Sequence, residues 1–218
     1  MFRLIPMLVM LWVVLYPRPY GVALTCAAVL PWLAIALAWL NPWQILLEEK
    51  KRFDTGLTLS WLLVAPATAL SLRAALDVTT IDVRQLVLWS FVLFLPLWVG
   101  IATAPTVRLP FRSKQWGSLL LLLPFTAAYG GSLLALTNAM WDNSKPKIYK
   151  TIVVGKHMSQ GKGTSYYLNL ATWNKEIDKN RLQISHAYYE TLTIGDTVCV
   201  SLYAGRFGVR WMQVGGCG

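Results

Sequence analysis

Residues 22–40, 57–76, 86–104 and 117–136 form four runs that are apolar almost without interruption. A helix rises about 1.5 Å per residue, so each run can cross the roughly 30 Å hydrocarbon core of a bilayer. In lipid every backbone N–H and C=O must find its partner inside the protein, and a helix meets that demand within one segment. Near Trp141 the character changes, and residues 142–218 become a polar stretch of short alternating runs and turns. The expected architecture is an α-helical transmembrane bundle over residues 1–141 followed by a small soluble all-β domain over 142–218. A composition of 56% hydrophobic against 14% charged residues lies far from that of an ordinary soluble domain and agrees with this division. The lipid bilayer is the first partner expected.

An earlier run, residues 4–16, is shorter, about 20 Å of helix, and is read as a short first span. Pro17-Arg18-Pro19-Tyr20-Gly21 then supplies a tight turn. A signal peptide competes, given Arg3 before the apolar stretch, but no small-x-small cleavage site follows Tyr16. Thr25 before Cys26 is a poor match to a lipoprotein anchor, so Cys26 reads as a buried apolar residue.

Loop charges set the direction. Lys50, Lys51 and Arg52, and again Arg108, Arg112 and Lys114, mark cytoplasmic loops, whereas residues 77–85 hold Arg84 with Asp77 and Asp82 and suit the opposite side. The expected location is the plasma (inner) membrane, multi-pass, with the C-terminal domain extracytoplasmic. Lys145, Lys147 and Lys150 pull the other way. The net charge of +10 divides evenly, with ten Lys/Arg against five Asp/Glu on each side of residue 140, so neither part is a basic tail and no nucleic-acid partner is expected.

Ion or proton pathways leave ionisable groups inside the membrane, yet Arg73, near a span end, is the one charged residue in the four long runs. Pro6, Pro31, Pro66, Pro96 and Pro124 place a proline in every run, which keeps open a small transporter, or transporter subunit, for an uncharged or lipidic substrate. Ala127, Gly131 and Ala135 are spaced by four, a helix-packing face for another helix or a second subunit. Trp43, Trp116 and Trp141 fall at span edges, as interfacial anchors do.

Beyond the break, residues 148–154, 165–173, 181–185, 197–203 and 209–214 read as five strands, with a helical turn over 186–192 capped by Ser185. A five-stranded OB/SH3-like barrel is expected. Gly161-Lys162-Gly163-Thr164 lacks P-loop spacing and context and reads as a hairpin tip. His157, His186 and Cys199 lack zinc spacing and a base with its orienting carboxylate, so no metal, cofactor or catalytic set is assigned and no enzyme is expected. Cys199 and Cys217 are expected to pair as a disulfide if the domain faces an oxidising compartment. Tyr166, Tyr167, Trp173, Tyr188, Tyr189, Tyr203, Phe207 and Trp211 are more aromatic residues than so small a barrel can easily bury, and Tyr166, Tyr167, Tyr188, Tyr189 and Phe207 form a candidate interaction surface.

Ile194-Gly195-Asp196-Thr197-Val198-Cys199-Val200, behind several membrane helices, resembles NfeD-like membrane proteins and other bacterial multi-pass proteins with a C-terminal barrel. The resemblance covers about a third of the chain. It implies an assembly or quality-control partner rather than an enzyme, and a cytoplasmic domain where the loop charges and cysteines point outside. The expected role is an anchored interaction protein presenting its β-domain to a protein or envelope partner.

Overall fold

A computed structural model describes residues 4–40, 45–46, 57–105, 107, 115–160, 164–177 and 179–217. Arg3, Trp43, the two lysine and arginine clusters expected to face the cytoplasm and residues 161–163 of the hairpin tip lie outside the described residues. The chain forms two compact units, residues 1–77 with 84–137, and residues 78–83 with 138–218.

The first unit is helical: α1 (Leu4–Leu15), α2 (Tyr20–Leu40), α3 (Leu59–Asp77), α4 (Val83–Ala102) and α5 (Gln115–Met140). Of these, α2, α3, α4 and the stretch Trp116–Met140 are long and apolar enough to cross a membrane, which suggests a membrane protein. At 12 residues, about 18 Å, α1 falls short of that length. Pro31, Pro66, Pro96 and Pro124 sit inside helices that continue past them. A short parallel pairing joins β1 (Ile45–Leu46) to β2 (Leu57–Thr58) between α2 and α3.

Small residues allow the helices to pack closely. Ala23, Ala27, Pro31, Ala34 and Ala38 make a buried stripe on α2, and Ala65, Pro66, Ala69 and Leu70 are buried on α3, with which α2 packs. On α5 the Tyr129 hydroxyl donates to the Ala28 carbonyl and accepts from Trp32 Nε1 at 3.1 Å, tying α5 to α2 through groups that lipid could not satisfy. Ser132 and Ser71 meet at 2.9 Å. α4 and α5 come close at Gly130, where an added Cβ would lie 2.9 Å from the Ser90 carbonyl oxygen. On the expected packing face, Ala135 is buried, while Ala127 and Gly131 are half-buried.

The second unit is one antiparallel sheet of six strands: β3 (Thr79–Thr80), β4 (Lys147–Gln160), β5 (Thr164–Leu170), β6 (Arg181–Ile184), β7 (Thr197–Tyr203) and β8 (Trp211–Gly215), in the order β3-β8-β7-β4-β5-β6. The sixth strand, absent from the sequence reading, comes from the segment between α3 and α4. Thr79 pairs with Met212 and Thr80 with Trp211. Two membrane-length helices, α4 and α5, separate β3 from β4 along the chain.

β4 spans 14 residues, about 46 Å if straight, and changes neighbour along its length. Lys147 to Ile152 pair with β7, and beyond a bulge between Val153 and Gly155 the strand pairs with β5. That change of partner curls the sheet into a half-barrel. Inside the curl lie Val153, Leu168, Leu170, Trp173, Leu182, Val198, Val200, Leu202 and Met212. Helix α6 (His186–Thr191) follows β6, and the Ser185 side chain accepts from the Tyr188 N–H at its start.

Candidate interaction face

The five aromatic residues singled out by sequence separate into distinct places. Strand alternation sends Tyr166 to the face shared with Leu168 and Leu170, where it meets His186 at 4.6 Å and Tyr189 at 5.0 Å between ring centres. Lys156, opposite Leu168, lies 4.1 Å from the Tyr189 ring and donates to the Tyr189 and Leu192 carbonyls at 2.7 and 2.6 Å. These bonds close the end of α6, which gives this lysine a structural task. Tyr188 has a buried hydroxyl with no hydrogen-bond partner among the described residues, and burial pushes it above the usual tyrosine range.

Tyr167 turns to the outer face, 6.4 Å from His157 and 4.4 Å from the Arg181 guanidinium. Phe207 is exposed in the β7–β8 turn, its N–H bonded to Asn138 Oδ1 at 2.9 Å. Cys199 and Cys217 lie at disulfide distance, with 5.1 Å between Cα atoms. Register explains the approach: Cys199 stands opposite Gly215, and the tail turns back two residues later.

A second outer surface escaped the sequence reading. Ile148, Lys150, Ile152 and Val154 share one side of β4, and the apolar three are 64%, 49% and 56% exposed. Ile194 is 66% exposed, and the neighbouring Gly195 bonds back to the Val153 carbonyl at 2.9 Å. Ser201, Cys199 and Thr197 of β7 pair with Ile148, Lys150 and Ile152, so the disulfide lies on this same outer side. The sequence signal was the consecutive run Ile152-Val153-Val154, which puts apolar residues on both sides of one strand.

Four polar nodes hold the frame. Asp82 receives Arg210 Nε and Nη2, both at 2.8 Å, and the Arg210 N–H at 3.1 Å; these bonds, Arg210 foremost, hold its carboxyl below the usual range. Burial raises Asp142, but bonds from Ser144, Trp211 and Gly205 outweigh burial and leave it lowered. Asn138 is buried and donates to the Val209 carbonyl at 2.8 Å while accepting from Phe207. Lys179, lowered by burial, donates to the Thr80 carbonyl at 2.9 Å.

Among the described residues no group of three or more His, Cys, Asp or Glu side chains comes together to hold a metal. His157 and His186 are surface groups in separate aromatic contacts. What this domain offers is a fixed frame with an exposed aliphatic row and flanking cations, a geometry suited to contact. Comparison with protein families, curated proteins and solved structures finds no match to this chain.

Proposed function

We propose that this chain is a membrane-anchored interaction protein whose β-domain docks a protein or envelope partner. The observation that carries the reading is the exposed row Ile148, Ile152 and Val154 with Ile194, interrupted by Lys150. Isolated apolar residues on a surface need no explanation, but an aliphatic row along one strand is costly in water and is relieved by burial under a partner. Ten Lys/Arg against five Asp/Glu over residues 141–218 favour an acidic partner surface. The Tyr167, His157 and Arg181 group supplies a second anchoring point of the type enriched at interfaces.

In this reading the membrane is the plasma (inner) membrane and the domain is extracytoplasmic. The loop charges and the cysteine pair at disulfide distance support that side. The small-barrel description, OB/SH3-like, and the assembly role implied by the NfeD-like resemblance belong to the same proposal; the change of partner along β4 is the feature that supports the barrel type.

A photocrosslinker placed at Ile152 of the full chain in native membranes should yield a defined adduct that is lost in an Ile148→Asp, Ile194→Asp double variant. An adduct pattern no stronger than one obtained from exposed Glu190 on α6 would sink the proposal.

A further inference from the structure

The helical unit contains a cavity of about 410 Å³ lined by Leu15, Tyr16, Pro17, Arg18, Tyr20 and Arg73. It lies where the α1–α2 turn meets the last turns of α3, at the ends of apolar helices. We propose that it binds a phosphate ester at the membrane edge, either the headgroup of an anionic phospholipid or a soluble phosphate ester. The edge placement rests on the membrane reading above; the binding chemistry rests on the residues themselves.

The two guanidiniums are held differently. Arg73 is fixed: Nη2 lies 3.0 Å from Asp77 Oδ2, the Tyr20 hydroxyl donates to that same oxygen at 2.6 Å, and the guanidinium sits 5.7 Å from the Tyr20 ring centre. Asp77 does not exhaust it, since Arg73 Nε is buried with no acceptor among the described residues. Arg18 is exposed, 5.3 Å from the Tyr16 ring centre, and has no carboxylate partner among the described residues. Two guanidiniums against one carboxylate leave a net positive cavity.

An arginine reaching from a helix end toward water would account for Arg73 alone. It leaves unexplained a second guanidinium on the wall of the same cavity, with an aromatic ring beside each. Guanidinium forks match phosphate oxygens in geometry and charge, tyrosine suits the headgroup level, and exposed Leu15 gives the rim an apolar side. The volume is within the range of small-ligand sites.

Native mass spectrometry of the full chain in neutral detergent tests this with three probes: phosphatidylglycerol, diacylglycerol as its phosphate-free counterpart, and sn-glycerol 3-phosphate. Wild type should retain phosphatidylglycerol over diacylglycerol, and Arg18→Gln should weaken retention roughly tenfold, the scale of one charge-assisted contact. Arg84→Gln, exposed and outside the cavity, should leave it unchanged. Binding of sn-glycerol 3-phosphate that is lost with Arg18→Gln would support the site with a soluble ester as ligand. Equal phosphatidylglycerol binding by wild type and Arg18→Gln, with no bound glycerol 3-phosphate, overturns the proposal, as does equal loss in Arg84→Gln. Carbonate extraction of cell membranes reports separately on embedding, so failure of the anchor and failure of the cavity are distinguishable.

Discussion

Arg210 grips Asp82 across 128 residues of sequence, its Nε and Nη2 each 2.8 Å from a carboxylate oxygen and its backbone N–H 3.1 Å from Oδ2. This two-pronged contact fastens the segment between α3 and α4 into the β-domain, beside the pairing of Thr79 and Thr80 with β8. A chain segment that would otherwise be a free loop becomes an edge strand.

Asp82→Asn keeps the shape and removes the charge, and should destabilise the domain by about 1 to 2 kcal/mol, discounted because the Arg210 side chain is 41% exposed. Folding lowers the Asp82 carboxyl, so its contribution is fully present above the ordinary value of 3.8 and is lost as pH falls through the lower folded value. Thermal unfolding of wild type and Asp82→Asn should therefore converge on acidification from about pH 7 to about pH 3. A gap that stays constant across that range would show that the charge is not what Asp82 contributes.

The helices, most strand positions and the Ser185 cap were legible because their signals are local: run length, alternation and a capping side chain. The sixth strand was not, since Thr79-Thr80 is too short to announce itself and its partner lies more than a hundred residues away. For the same reason Asp82–Arg210 and the Asn138 and Asp142 nodes have no signature in one sequence. The aromatic surface was legible as composition but not as geometry: Tyr166 and Tyr189 pack against each other at a tilt while Tyr167 faces out. The exposed row on β4 was not legible, because a strand apolar on both sides reads as buried until its outer neighbours are known.

Gly205 is held where no other residue fits. Its φ is +80°, and an added Cβ would lie 2.2 Å from the Val209 carbonyl oxygen and 2.6 Å from Asn138 Nδ2. Gly205→Ala combines left-handed strain with a clash against the Asn138 node and should cost roughly 2 to 4 kcal/mol. Gly216→Ala, which meets nothing within 4 Å, is the control. Limited proteolysis should cut the β7–β8 region early in the first variant alone; equal resistance in both would refute the assignment of Asn138 and Gly205 as a packed pair.

Cys199 and Cys217 give a chemical readout of both structure and side. Cys26, expected from the sequence to be buried, is exposed on α2, so the test uses a Cys26→Ala background, in which a membrane-impermeant maleimide applied to intact cells should label the protein only after reduction. Labelling without reductant would exclude the bond, and labelling only after lysis would put the domain inside. Closing an 18-residue separation should contribute about 3 kcal/mol, so Cys217→Ser should lower the unfolding midpoint of the β-domain measurably.

Helix packing separates two adjacent glycines. A Cβ on Gly130 would lie 2.9 Å from the Ser90 carbonyl oxygen and 3.2 Å from the Phe94 nitrogen, both backbone atoms that cannot step aside. On Gly131 the nearest neighbour is the Ser90 Cβ at 3.9 Å, ordinary contact. Gly130→Ala should therefore push α4 from α5 and cost roughly 1 to 3 kcal/mol, whereas Gly131→Ala should be close to neutral or slightly stabilising through better helix propensity. Detergent-solubilised variants compared by thermal aggregation onset would show the difference. If Gly131→Ala is the more damaging, the stripe Ala127, Gly131 and Ala135 meets a partner beyond this chain, because within it that face has room for a methyl group.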